Sequence, residues 1–177
     1  IEIIFNTSNY NGYEISCNGD SDGFIDITVS GGSGNYNYLW SNGENSEDIS
    51  DLSSGTYFVS VEDSNGCFVT ETIILTEPSE ITYTYSVSEF NGYNTSCNGE
   101  NDGFIDLIVQ GGTGTYTYAW NNGTTTEDLN DLEAGTYTVF ISDENGCSQS
   151  IDIDIIEPDS IEIIFNTSNY NGYEISC

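Results

Sequence analysis

Hydrophobic and polar residues alternate along this chain in short runs. GFIDITVS at 23–30, YNYLW at 36–40, GTYFVSVED at 55–63 and CFVTETIILT at 67–76 place apolar or aromatic side chains at close to every second position. That period suits half-buried strands, because successive side chains point to opposite faces. IEIIFNTS at 1–8 alternates less perfectly, and ENSEDISDL at 44–52 reads as a polar connection. Asn11-Gly12, the glycine-rich stretch 31–34, Asn42-Gly43 and Ser64-Asn65-Gly66 supply the turns. Turn signals every eight to twelve residues or so, with no helical period, predict a sandwich of about seven strands.

The pattern then repeats. SCNGDSDGFIDITVSGGSGNYNYLWSNG at 16–43 aligns without gaps on SCNGENDGFIDLIVQGGTGTYTYAWNNG at 96–123, and DLSSGTYFVSVEDSNGC at 51–67 on DLEAGTYTVFISDENGC at 131–147. Both alignments share an offset of 80, with more than half of the positions identical. IEIIFNTSNYNGYEISC at 1–17 returns unchanged at 161–177, which sets a longer period of 160. The organisation expected is module A over 1–78, module B over 79–158, and the start of another module A over 159–177. Boundaries fall at Glu77-Pro78 and Glu157-Pro158, where proline ends a strand. Linkers this short predict sandwiches held end to end as a rod. Trp40 on the third run and Tyr57 after a glycine match the core tryptophan and corner tyrosine of immunoglobulin-like domains. Trp120 and Tyr137 repeat the pair, and core packing is the role assigned to all four.

Charge narrows the function. The chain has 30 Asp and Glu, no Lys, Arg or His, and a net charge of −30. Nothing is present to neutralise phosphates, so nucleic acid is excluded as a partner. Anionic membrane surfaces repel such a chain, and no apolar run approaches the roughly 20 residues of a span. Disorder is countered by 36% hydrophobic and 13% aromatic residues in alternating runs. Without His or Lys, a Ser or Cys nucleophile lacks its ordinary base, and no phosphate-cradling loop occurs. Carboxylates recurring in the turns of every module are structural by default, so no enzyme is expected. No signal peptide is visible, and the sequence reads as a piece cut from a longer chain.

The acids that invite a cation are specific. Asn18-Gly19-Asp20-Ser21-Asp22-Gly23-Phe24-Ile25-Asp26 imitates the first nine positions of an EF-hand loop, with Val29 where the closing glutamate belongs. The plain alternative is an Asx-type turn. Asp20, Asp22, Glu77, Asp143 and Glu144, with Glu100 and Asp102 in module B, form the candidate Ca²⁺ set, shared at the junction between modules. No other cofactor is implied.

Five cysteines without a C-x-x-C point to disulfides and an oxidising, extracellular compartment. Cys17 follows the first strand and Cys67 lies between the last two, at opposite poles of an immunoglobulin-like sandwich. Cα atoms more than about 7 Å apart cannot be bridged. The preferred pairing is therefore an inter-module staple, Cys17–Cys147, with Cys97 left for a following module. Pairing within modules, Cys17–Cys67 with Cys97–Cys147, is the alternative. A third option joins Cys67 to Cys97 and Cys147 to Cys177.

SCNG, DGFIDITVSGG, YNYLWSNG, LSSGTYFVSV, DSNGC and the closing TEP together resemble the SprB repeat of very large surface adhesins of gliding Bacteroidetes. The resemblance covers roughly 13–81 and 93–161. It departs from the family pattern in an added hairpin-like insert, SNYNGYE or SEFNGYN, ahead of each SC. It implies an exported cell-surface filament used in adhesion or gliding, whose partners are neighbouring repeats head to tail and, in a thicker fibre, other copies. A lectin-like module using Tyr13, Tyr36 and Tyr38 as a stacking platform is the competing function.

Overall fold

The computed structural model describes residues 1–166. Residues 167–177, which hold Cys177, lie outside the described residues, and residues 161–166, where most of the third opening strand is expected, form no strand. The first unit contains β1 (Glu2–Thr7), β2 (Gly23–Ser30), β3 (Asn37–Trp40), β4 (Ile49–Leu52), β5 (Gly55–Glu62) and β6 (Phe68–Leu75). The second contains β7 (Thr82–Val87), β8 (Gly103–Gln110), β9 (Thr117–Trp120), β10 (Leu129–Leu132), β11 (Gly135–Ser142) and β12 (Ser148–Ile155). No helix occurs among the described residues.

Each unit packs two three-stranded antiparallel sheets, β1-β2-β4 against β3-β5-β6 and β7-β8-β10 against β9-β11-β12. With the strands named A, B, C, E, F and G in chain order, the sheets are ABE and CFG. That is the immunoglobulin-like arrangement lacking strand D. The expectation of about seven strands is corrected to six. The segment 44–48 is exposed throughout and carries only polar residues, so it has no face to bury and makes no strand. The polar connection at 44–52 is corrected too, since Ile49 and Leu52 at its end are buried and anchor β4 beside β2.

Alternation builds the core directly. Along β2, Gly23, Ile25 and Ile27 face inward while Phe24, Asp26 and Thr28 face out. The first core gathers Ile15, Ile25, Ile27, Trp40, Ile49, Leu52, Val59, Val61, Ile73 and Leu75. The second repeats it from Ile81 to Ile155 around Trp120. Trp40 is 2% exposed, and its ring N–H donates to Ser46 O at 2.9 Å, so burial leaves no polar atom unmatched. Trp120 donates likewise to Thr126 O. Tyr57 OH donates to Ser53 O at 2.9 Å and Tyr137 OH to Glu133 O at 3.1 Å, pinning each E–F connection four residues back.

Candidate functional site

The residues that carry distinctive chemistry meet at the end of the first sandwich, where the second begins. The insert between β1 and β2 makes a small hairpin. Tyr10 and Tyr13 exchange backbone hydrogen bonds of 2.7 and 3.2 Å across Asn11 and Gly12. Both turn residues have positive φ, 52° and 96°, which Asn tolerates and Gly adopts freely. The hairpin is tied to its own sandwich. Ser8 Oγ donates to Glu14 O at 2.6 Å, and Glu14 Oε2 accepts from the Thr76 N–H at 2.8 Å and its hydroxyl at 2.7 Å.

Facing it is the turn between β11 and β12, shaped by one carboxylate. Asp143 is 6% exposed. Its Oδ1 accepts the N–H groups of Asn145 at 3.0 Å and Cys147 at 2.9 Å. Its Oδ2 accepts the Thr113 N–H at 2.8 Å and hydroxyl at 3.2 Å. The turn so formed projects Asn145 into the hairpin of the first sandwich. The Asn145 side-chain amide donates to Ser16 O at 3.0 Å and Tyr10 O at 3.4 Å, and Asn145 Oδ1 accepts from Asn11 Nδ2 at 2.7 Å. Beside this contact Cys17 and Cys147 form a disulfide with Cα atoms 5.5 Å apart. Among the described residues Cys67 and Cys97 are free and exposed.

The linker closes the junction. Glu77 Oε2 accepts the Gly19 N–H at 2.8 Å, and Asn18 Nδ2 donates to Pro78 O at 3.1 Å. A cleft of about 330 Å³ remains, lined by Cys17, Asn18, Asp20, Pro78, Glu80 and Cys147 among others.

The seven acids of the candidate calcium set do not converge. No group of three or more His, Cys, Asp or Glu positioned for a metal occurs among the described residues. Each acid with a defined partner instead serves a local donor. Asp22 accepts the Ser16 N–H at 3.1 Å, Asp102 the Ser96 N–H at 3.0 Å, and Glu144 the Thr115 hydroxyl at 2.9 Å. Asp20 takes the Ser16 hydroxyl at 3.4 Å, and Glu100 only donates its backbone N–H to Cys97 O. Burial pushes the Asp22 carboxyl up, but hydrogen bonds from Ser16 outweigh it and hold the group below the usual range. Hydrogen bonds from Ser16's counterpart Ser96 lower Asp102. In the first sandwich Asp63 plays the part of Asp143, and the N–H groups of Cys67, Ser33 and Asn65 lower it against the opposing effect of burial. Carboxylates already occupied by loop N–H groups are poorly arranged to wrap a cation with six to eight oxygens.

The aromatic platform is placed differently from the expectation. Tyr36 and Tyr38 are half-buried against the first core, Tyr36 OH donates to Gly31 O, and Tyr13 belongs to the hairpin. Burial and the neighbouring Glu47 carboxylate push the Tyr38 hydroxyl up to about 12.

A family model described as the SprB repeat matches residues 13–45 and 93–125. The chain carries two SprB repeats. Each match begins at the second tyrosine position of the hairpin, so most of the insert precedes the SprB pattern. SprB repeats belong to cell-surface adhesins, and a disulfide between sandwiches fits an extracellular protein. No curated protein matches the sequence. Among solved structures, a chain in the crystal structure of Dpr2 Ig1-Ig2 in complex with DIP-Theta Ig1-Ig3 is similar at 10% identity and a TM-score of 0.26. That likeness covers 87% of this chain and 66% of the other. Strand order, not this likeness, assigns the immunoglobulin-like fold to the SprB-containing units.

Sequence reasoning singled out the cysteines and Asp143 but passed over Asn145 and Asn11, which make the polar contact of the junction. Their signal was available. Asn-Gly-Cys closes the F–G turn in both units, and the Asn-Gly insert precedes both SC motifs.

Proposed function

We propose that these SprB repeats form a length of stiff stalk in a long extracellular adhesin or filament used for surface attachment or gliding. The observation that carries this reading is the junction. A covalent bond and three amide hydrogen bonds join consecutive sandwiches at one place, and Glu77 pins the start of the linker to the first sandwich, where a flexible string would have a loose linker. A net charge of −30 keeps such a stalk soluble and discourages collapse onto itself. The activity is mechanical and no chemistry is assigned. Tyr36 and Tyr38 pack against the first core while Tyr13 belongs to the hairpin, which disfavours the lectin-like reading that needs the three as one platform.

Two measurements test the reading together. Small-angle scattering of the oxidised chain gives one elongated, rigid particle, and reduction of the disulfide broadens its distance distribution. A glycan array probed with the same oxidised chain stays blank. An oxidised particle that is compact or as variable as the reduced one sinks the stalk, and saturable glycan binding sinks it in favour of a lectin. Cryo-electron images of native filaments report whether one chain or several make the cross-section.

A further inference from the structure

The junction has two halves, and both sandwiches carry both of them. The hairpin and SC segment at 9–17 has its equivalent at 89–97, and the turn at 143–147 has its equivalent at 63–67. Only one turn and one hairpin meet among the described residues. The other two are built to the same plan and stand uncovered.

The unused turn is already shaped. Asp63 is 4% exposed and accepts the N–H groups of Asn65 at 2.9 Å and Cys67 at 3.0 Å, as Asp143 does for Asn145 and Cys147. The unused hairpin is shaped too, with Phe90 and Tyr93 exchanging hydrogen bonds of 2.7 and 3.1 Å across Asn91 and Gly92. What differs is cover. Asn145, Cys147, Tyr13, Ser16 and Cys17 are half-buried at the formed junction. Their counterparts Asn65, Cys67, Tyr93, Ser96 and Cys97 are all exposed.

The second linker leaves as the first does. Asn98 Nδ2 donates to Pro158 O at 3.1 Å and Glu157 Oε2 accepts the Gly99 N–H at 2.6 Å, matching Asn18 and Glu77. A cleft of about 410 Å³ beside Cys97 and Pro158 occupies the place of the junction cleft.

We propose that the turn 63–67 is a plug and the hairpin segment 89–97 a socket for neighbouring modules of this same kind, each joined by the asparagine contact and disulfide seen at Cys17–Cys147. Cys97 bonds the F–G-turn cysteine of the following module, and Cys67 bonds the SC cysteine of the preceding one. Each new bond forms from two thiols with loss of two electrons and two protons to the thiol–disulfide oxidants of an extracellular compartment. Asn65 enters the hairpin of the preceding module, and Asn91 faces the asparagine of the following one. The inference rests on the stalk reading only for the presence of further modules. Its test reads bond connectivity, which a failed glycan or scattering experiment leaves untouched.

The test extends the chain by its own period, with residues 1–160 followed by the whole of 1–177. Cys67→Ser in the first copy and Cys177→Ser in the second remove competing thiols. After oxidation in a glutathione buffer, peptide mapping under non-reducing conditions gives Cys97 of the first copy joined to Cys67 of the second. Cys17–Cys147 is found in both copies, and one thiol, the second copy's Cys97, reacts with maleimide. Asn65→Ala in the second copy shifts the glutathione midpoint of the new bond about tenfold towards the reduced form while both Cys17–Cys147 bonds hold theirs. Bonds within a module, such as Cys97–Cys147 of one copy, overturn the proposal, as does a first-copy Cys97 that remains alkylatable. An unmoved midpoint in the asparagine variant also overturns it.

Discussion

At the scale of single residues, one aspartate per turn decides whether the F–G turn exists in a form able to dock. Asp63 serves three N–H groups and is held below its ordinary value, so the sign of its pH effect is fixed. A carboxylate with a depressed folded value adds stability that is complete above its unfolded value of 3.8 and disappears as pH falls through the folded one. Asp63→Asn therefore lowers Tm at pH 7, and the gap from the parent chain narrows below pH 3.8. A thermal melt series from pH 7 to 2 checks this, and a constant gap refutes it. The same reasoning bears on calcium. An aspartate capping its own turn and one ligating a cation look alike in sequence, because Asx turns and calcium loops both favour Asp, Asn and Gly. The arrangement of Asp22, Asp102 and Asp143 around backbone N–H groups predicts that EDTA leaves Tm within about 1 °C of the calcium-loaded value, as each N–H keeps its acceptor without metal. A fall of many degrees restores calcium to the junction. Gly23 makes a different point. A Cβ there would stand 2.6 Å from Ile15 Cδ1 and 2.9 Å from Leu52 O, so Gly23→Ala costs about 2 kcal/mol by overpacking. Differential scanning calorimetry of the variant gives the value, and an unchanged Tm disproves the crowding.

At the scale of elements, the strands were largely legible because alternation is itself the burial pattern. β2 and β8 bury every second residue, and their sequences say so. β4 and β10 were not legible. With four residues each and a polar pair in the middle, they present one turn-like segment whose only inward residues are at its ends. Asp51 and Asp131 sit there at φ of 57° and 56°, a local distortion that sequence periodicity cannot express. The hairpin insert was seen as a departure from the SprB pattern, yet its purpose was invisible until a second element was placed against it. A turn of Asn and Gly announces a bend, and nothing in four residues announces what the bend will receive.

At the scale of the whole molecule, the repeat told that there were sandwiches in series and their head-to-tail order led to the Cys17–Cys147 pairing, while the asparagine contact beside it depended on geometry across 129 to 135 residues of sequence. No local pattern spans that distance. Charge acts at this scale as well. With a net charge of −30 and no cationic side chain, raising salt from 0.01 to 0.15 M shortens the screening length from about 30 to about 8 Å and raises Tm, as circular dichroism melts will register. The disulfide has a separate consequence under load. A polymer pulled from its two ends lengthens only along the shortest covalent path, and the Cys17–Cys147 bond removes 130 residues from that path. At roughly 3.4 Å per extended residue that is about 440 Å of slack that force cannot release. Optical-tweezer traces of the oxidised chain will lack the long unfolding steps that reappear on adding reductant. In the stalk proposed above, a pull would lose little stroke to stretching, and the redox state of one bond would set the gearing.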